Sequence, residues 1–198
     1  KASGNSSTAL GDGANASGNY STALGYQANA SNISATALGV LAKAGGIYST
    51  ALGSQANASS SGATAVGNGA NAAGTSATAV GDRAYASGTG ATALGFSTAD
   101  SAFTTALGYG ANAVAGNATA LGRKANAVGV SATAVGNGAR GLGKASTALG
   151  DSARADFANS TAIGAFAATT RADQIVLGTT TTTTTVANLA GSGTGLVV

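Results

Sequence analysis

The residues that could do chemistry in this chain of 198 residues are few and lie far apart. Six aspartates are the only carboxylate side chains, and histidine, cysteine and glutamate are missing altogether. Acid–base, nucleophilic and metal-assisted catalysis need such groups in pairs or clusters. The sequence therefore predicts a protein that is not an enzyme and that holds no cofactor.

Short glycine-containing strings give two weaker signals for ligand binding. Gly11-Asp12-Gly13 is typical of part of a phosphate-binding loop, but no Gly-x-x-x-x-Gly-Lys-Ser/Thr string is present. Asp12, Asp82 and Asp151 each follow a glycine, yet the Gly-Gly-x-Gly-x-Asp spacing of calcium-binding β-rolls is absent. Turn formation explains both patterns better, and we predict no metal site.

The nine basic residues give a net charge of +3, but they are scattered along the sequence. Only Arg123 and Lys124 are adjacent. Nucleic-acid binding needs a clustered patch that neutralises phosphates, so we predict no nucleic-acid partner. No apolar run is long enough to cross a bilayer, so we also expect no direct membrane insertion by this segment.

The elements that carry these residues are repeats of the string Thr-Ala-(Leu/Val/Ile)-Gly. The repeat glycines follow a 14-residue period in eleven of their twelve intervals, and the remaining interval is shorter by a single residue. The series of glycines is Gly11, Gly25, Gly39, Gly53, Gly67, Gly81, Gly95, Gly108, Gly122, Gly136, Gly150, Gly164 and Gly178. A period of this length indicates a repeat architecture rather than an ordinary globular domain.

Each repeat contains two segments of period 2, about five residues long, with a tight turn between them. Period 2 is the signature of β-strands, and glycine is too frequent for helices. We therefore predict an all-β fold, a parallel β-solenoid of about thirteen coils that stacks to a rod roughly 60 Å long. The short interval between Gly95 and Gly108 removes a residue beside a turn, which should leave both strand registers intact.

The two strands of a repeat differ in which faces look buried. In the second strand, small residues alternate with variable polar ones, which indicates one buried and one wet face. In the first strand both faces are constant, with Ser7, Ala9 and Gly11 on one face and threonine and an aliphatic residue on the other. A 14-residue coil has room for little more than alanine and glycine, so we place the small face inside.

The other face then forms a long apolar stripe, which we call the Thr/aliphatic ladder. So long a stripe on one chain marks an interface, and a closed symmetric oligomer is the simplest way to cover it. We predict that the interface contains Thr8, Leu10, Leu24, Leu38, Leu52, Val66, Val80, Leu94, Leu107, Leu121, Val135, Leu149 and Ile163.

Aromatic residues recur beside the predicted turns. Tyr20, Tyr48 and Phe103 lie five residues before a repeat glycine, whereas Tyr26, Phe96 and Tyr109 lie one residue after. They could be anchors for a binding partner, or they could cap the coil edges by packing on neighbouring coils. The second interpretation is favoured, and the residues that bind any ligand are not identified.

The repeat resembles the YadA-like head of trimeric autotransporter adhesins, whose pattern is Ser-Val-Ala-Ile-Gly-x-x-Ala-x-Ala-x-Gly. Threonine replaces the valine here, and leucine or valine mostly replaces the isoleucine; the similarity runs from residue 6 to about residue 178. The resemblance implies a single-stranded, left-handed parallel β-roll, three of which pack about a threefold axis as a homotrimer. It also implies an extracellular place on the bacterial surface, anchored by segments outside this chain.

The chain is expected to divide into head repeats over residues 1–178 and a threonine-rich neck-like or linker segment over residues 179–198. Seven consecutive threonines open the second segment, and Gly191-Ser192-Gly193-Thr194-Gly195 within it reads as a flexible linker.

Three functions fit these features. The leading hypothesis is a non-catalytic adhesin head that makes multivalent contacts with host cells, extracellular matrix or other bacteria. The alternative is a structural segment of a phage tail fibre or a secreted filament. A minor alternative is an ice-binding solenoid, because threonine ladders on β-solenoids have that geometry.

Overall fold

The computed structural model describes residues 1–181, which form a parallel β-solenoid of about 12 turns with a spacing of 14 residues. Three-residue and two-residue strands alternate along the chain as far as β23, and the last strand, β24, again has three residues. In order they are β1 (Thr8–Leu10), β2 (Asn15–Ala16), β3 (Thr22–Leu24), β4 (Asn29–Ala30), β5 (Thr36–Leu38), β6 (Lys43–Ala44), β7 (Thr50–Leu52), β8 (Asn57–Ala58), β9 (Thr64–Val66), β10 (Asn71–Ala72), β11 (Thr78–Val80), β12 (Tyr85–Ala86), β13 (Thr92–Leu94), β14 (Thr98–Ala99), β15 (Thr105–Leu107), β16 (Asn112–Ala113), β17 (Thr119–Leu121), β18 (Asn126–Ala127), β19 (Thr133–Val135), β20 (Arg140–Gly141), β21 (Thr147–Leu149), β22 (Arg154–Ala155), β23 (Thr161–Ile163) and β24 (Ile175–Leu177).

The strands form two stacked sheets. Odd-numbered strands β1 to β23, followed by β24, make a 13-stranded sheet, which we call the first sheet. Even-numbered strands β2 to β22 make an 11-stranded second sheet. All neighbours are parallel, which confirms the β-solenoid predicted from the repeat. Within residues 1–181 no helical segment could span a bilayer.

The strands are shorter than the five residues predicted from period 2. The reason is that tight turns occupy both ends of each strand: the turn at Gly11 closes with Ala14 N donating to Gly11 O at 3.2 Å, and the next with Ser21 N donating to Gly18 O at 3.2 Å. Pairing between coils nevertheless continues through these turns, as when Gly67 N donates to Leu52 O at 2.8 Å. The backbone is thus hydrogen-bonded around most of each coil.

The shortened coil keeps its register, as the sequence predicted. Thr98 pairs with Tyr85, and Thr105 pairs with Thr92, so the strands on both sides of the missing residue stay aligned. The residue is lost from the turn between Leu94 and Ser97. Removing it from a strand would instead have turned every following side chain to the opposite face.

The interior between the sheets is made of alanine. Every buried hydrophobic residue among residues 1–181 is an alanine, and all of these alanines except Ala14 form one continuous core. The largest fully buried side chain is that of Thr104. The prediction that the alanine face lies inside is therefore confirmed.

The repeat glycines are an exception to the predicted interior. Gly11, placed on the inner face with Ala9, is instead exposed and begins the turn after β1. Gly67 shows why glycine is required there: its φ is +132°, and a Cβ would lie 2.3 Å from the carbonyl oxygen of Gly81 in the next coil. The glycine is fixed by the turn and by close backbone approach rather than by the size of the core.

Hydroxyl groups replace alanine at several inner positions. Ser49, Thr104 and Ser160 each donate to the carbonyl oxygen three residues earlier, at 2.7 Å in all three cases. This bond satisfies a buried polar group within its own turn. Ser21 and Ser146 occupy the same repeat position, but their hydroxyls have no partner, which leaves a small local penalty in those coils.

Ala72 and Ala73 provide a test of the narrow interior, because they are neighbours that face opposite ways. Ala72 is fully buried, whereas Ala73 is partly exposed on the outward face, where Leu142 stands in a later coil. Ala72→Leu should lower the free energy of unfolding by about 1–3 kcal/mol, since the core cannot widen locally. Ala73→Leu should leave it nearly unchanged. Equal thermal melting of the two variants would show that the core is not tight.

Candidate functional site

The Thr/aliphatic ladder lies on the outward face of the first sheet. Cross-strand pairing places each aliphatic residue beside its counterpart in the next coil, from Leu10 beside Leu24 to Ile163 beside Leu177. Leu52 is 40% exposed and Leu149 is 45% exposed, although both are large apolar residues in regular strands. The structure thus places every residue of the predicted interface on one continuous face.

The ladder is exposed because the interior has no room for it. Alanine fills the interior almost completely, Thr104 is the largest fully buried side chain there, and the leucine, valine and isoleucine residues of the ladder stand on the outside. Their spacing of about 4.8 Å per coil gives an apolar stripe along the whole rod. Soluble proteins rarely leave such a stripe uncovered.

The outward face of the second sheet has a different chemistry. Asparagines of neighbouring coils join through their side-chain amides: Nδ2 donates to Oδ1 from Asn15 to Asn29 at 3.2 Å, and from Asn112 to Asn126 at 3.1 Å. Asn57 and Asn71 form a third such pair at 3.1 Å. This face is mostly polar, as the sequence predicted.

Three aliphatic residues interrupt the polar face in later coils, and they were not singled out from the sequence. Val114, Val128 and Leu142 occupy one repeat position in three successive coils, with Asp100 and Asp156 at that position in the coils before and after. Serine, glycine or alanine fills this position in earlier coils. Alignment of the repeats with one another would have revealed the group, because its members are spaced by one full coil.

Two of the basic residues that looked scattered in the sequence meet on this face. Arg140 and Arg154 begin the paired strands β20 and β22. Asp156 accepts from Arg140 Nε at 3.1 Å and from Arg154 at 2.9 Å. One carboxylate therefore orients two guanidinium groups, and the group keeps a net positive charge.

The aromatic residues behave in two ways. Phe96 and Tyr109 stack across neighbouring coils, with ring centroids 5.4 Å apart and an angle of 24°, as the capping interpretation predicted. Tyr20, Tyr48 and Phe103 are each about two thirds exposed, and each has φ near +60°. The ring of Phe103 nevertheless lies against the preceding coil, where a Cβ on Gly90 would be 3.1 Å from Cδ1 of Phe103.

No arrangement of side chains in the described part of the chain suggests catalysis or metal binding. Residues 1–181 contain no group of three or more His, Cys, Asp or Glu residues that could hold a metal ion. The features that remain are surfaces: the ladder on the first sheet, and the polar and basic face of the second.

The sequence matches a family model described as the YadA head domain repeat. The matches tile the chain over residues 2–70, 72–139 and 142–167, as overlapping units of two repeats each. This chain belongs to the YadA head family. The resemblance drawn from the repeat pattern is thereby confirmed.

A solved structure supports the YadA head assignment. The collagen-binding domain of the Yersinia adhesin YadA is 26% identical, with 78% of this chain and 79% of that chain covered and a TM-score of 0.50. A comparison with curated proteins found no match. The YadA head fold is thus a parallel β-solenoid in both chains, and the family is one of surface-exposed adhesins rather than of enzymes.

Three predictions made from the sequence lie beyond these findings. The threonine-rich segment over residues 179–198 falls almost wholly outside the described residues, so the division at residue 178 stays a prediction. The predicted trimer interface and the handedness of the roll likewise stay predictions.

Tyr48 offers a test of strain in the exposed turns. Its φ of +58° is unfavourable for any residue with a Cβ. Other coils have glycine at the equivalent turn position, as Gly62 and Gly90 show. Tyr48→Gly should raise the free energy of unfolding by about 0.5–1 kcal/mol, because relief of the left-handed strain exceeds the extra chain entropy of glycine.

Tyr85→Gly is the matched control, since Tyr85 lies in the extended strand β12. There glycine should destabilise by up to about 1 kcal/mol through lost strand propensity. Chemical denaturation of both variants measures the sign of each change in the free energy of unfolding. Destabilisation by Tyr48→Gly as large as by Tyr85→Gly would contradict this account of the turn.

Proposed function

We propose that this chain is the head of a trimeric, non-catalytic adhesin on the bacterial cell surface. The observation that carries the proposal is the unbroken Thr/aliphatic ladder on the outward face of the first sheet. A ladder on a rigid rod is covered most simply by copies of itself. The number three follows the YadA-like heads that the repeat resembles.

Self-association through the ladder agrees with the geometry of a closed oligomer. Each coil offers threonine and one aliphatic residue at the same height, so identical rods can align coil by coil around an axis. Burying one valine or leucine contributes about 1.5–3 kcal/mol, and the ladder repeats this in every coil. Charged side chains are absent from the ladder over β1 to β24.

Adhesion is assigned to the surfaces that such a trimer leaves outside. The outward face of the second sheet and the turns lie away from the ladder and repeat along the rod. A rod of this kind in three copies suits many weak contacts that add up through avidity. The related Yersinia domain is described as collagen-binding, which supports extracellular matrix or host-surface proteins as partners.

Two outward-facing pairs of residues test the assembly. Val66→Asp with Val80→Asp puts two charges into the ladder, whereas Ser59→Asp with Ala73→Asp puts the same charges on the second sheet, where Asp100 and Asp156 stand in other coils. In sedimentation experiments the ladder variant should dissociate to folded monomers, because unpaired buried carboxylates oppose association. The control should remain trimeric. A trimeric ladder variant would refute the assembly through this face.

The same proteins test adhesion. Binding of the parent head to immobilised collagen, fibronectin or host cells is expected, and the monomeric ladder variant should bind about 100-fold or more weakly because avidity is lost. The control variant should bind like the parent. Failure of the trimeric parent to bind matrix proteins or cells would favour the alternative, a structural segment of a fibre.

A further inference from the structure

The net charge of the chain is concentrated in one part of the rod. Residues 114–157 contain five basic and two acidic residues, a net +3, which equals the net charge of the whole chain. The basic residues are Arg123, Lys124, Arg140, Lys144 and Arg154. Outside this part, acidic and basic residues balance at four each. We call the coils of residues 114–157 the basic segment.

The coils of the basic segment arrange its cations along the solenoid axis. Lys124 lies in the turn after β17, Arg140 begins β20, and Arg154 begins β22, so three successive coils each contribute a cation. Lys144 adds an exposed charge in the turn that follows β20. Neighbouring strands are about 4.8 Å apart, which spaces the charges by about the same distance along the rod.

The arginines of the basic segment are oriented by Asp156 but keep N–H groups that are available to a ligand. Arg140 donates through Nε and Arg154 through one terminal nitrogen to Asp156, while their side chains are 42% and 54% exposed. Each guanidinium carries further N–H groups in a fixed fork, which suits bidentate bonds to sulfate or carboxylate. The pairing with Asp156 thus orients donors toward solvent and leaves one excess charge.

A shallow apolar strip runs beside these cations. Val114, Val128 and Leu142 directly follow the strands β16, β18 and β20, and each lies two residues after the asparagine or arginine that begins its strand. The combination offers charge, amide groups and aliphatic contact in parallel columns. A linear chain of acidic sugars presents three complementary kinds of group. Its anionic substituents match the cations, its hydroxyls match the amides, and its apolar C–H faces match the aliphatic side chains.

We propose that the basic segment binds an acidic linear polysaccharide, with the sugar chain aligned along the solenoid axis. The coil spacing is close to the length of one sugar unit in an extended chain, so successive anionic groups meet successive cations. Charge complementarity brings the polymer to this part of the rod rather than to the balanced remainder.

Nucleic acid fits the basic segment less well. Single strands bind through aromatic side chains that stack on successive bases, and Phe157, at its end, is the only aromatic residue of the basic segment. Reading the bases of a duplex requires a helix or a β-ribbon that enters a groove, whereas this face belongs to an 11-stranded parallel sheet. A polysaccharide needs neither.

The inference deepens the proposed adhesive function, because it names a class of partner on the host surface. Binding to a purified polysaccharide is nevertheless measured directly and does not require matrix or cell adhesion. A head that adheres to matrix or cells but does not bind the polysaccharide contradicts only this inference. A head that binds the polysaccharide but does not adhere contradicts only the proposed function.

The test uses two double variants that remove the same charge from matched positions. Lys124→Ser with Arg140→Asn acts on the basic segment; Arg83→Ser with Lys43→Asn acts outside it. Lys124 and Arg83 hold the same turn position, which Ser152 also occupies with φ of +55°. Arg140 and Lys43 both stand where Asn112 and Asn126 stand in other coils. All four replacements thus use residues that the fold already accepts.

Binding of each head to immobilised heparin is measured across a salt series, with unsulfated dextran and single-stranded DNA as further probes. The parent should bind heparin in a salt-sensitive way, the variant in the basic segment should bind about tenfold more weakly, and the control variant should bind within about twofold of the parent. Equal losses in both variants, tighter binding of DNA than of heparin, equal binding of dextran, or no binding of heparin by the parent would each overturn the proposal.

Discussion

The width of the interior is the constraint on which this structure depends. Each coil is so short that its two sheets lie close together, alanine fills the core, and Thr104 is the largest fully buried side chain. Each alanine buries little apolar surface, so the coils rely on backbone pairing to their neighbours, as when Asn71 N donates to Ala84 O at 2.8 Å. Stability is therefore built up along the rod by repetition rather than by a thick core.

The same constraint determines what the molecule presents to its surroundings. Because alanine fills the narrow core, the leucines and valines form the Thr/aliphatic ladder on one outward face, and that face is the one proposed to join subunits. The opposite face is free to vary between coils, and there it carries paired asparagines, the aliphatic group around Val128, and the arginines held by Asp156. In the proposed function, a fold with so narrow an interior separates assembly from recognition by placing them on opposite sheets.

The repeat made most of the fold predictable from the sequence. A short pattern that recurs once per coil was enough to predict the inner alanines, the outer ladder and the unchanged register around Gly95. The strand lengths and the place of Gly11 were wrong because period 2 does not show where a turn begins. The meeting of Arg140, Arg154 and Asp156 was missed, because cations that are one coil apart look scattered until the coils are stacked.

The central claim is that copies of this chain meet through the Thr/aliphatic ladder, and disulfide trapping tests it most directly. The chain contains no cysteine, so a single one can be placed at will. Val66→Cys puts a thiol in the ladder, and Ala73→Cys puts one on the second sheet only half a coil away. Under mild oxidation the ladder variant should form covalent dimers within the assembled head, while the second variant should stay uncrosslinked. Crosslinking of Ala73→Cys with none at Val66→Cys would contradict the account.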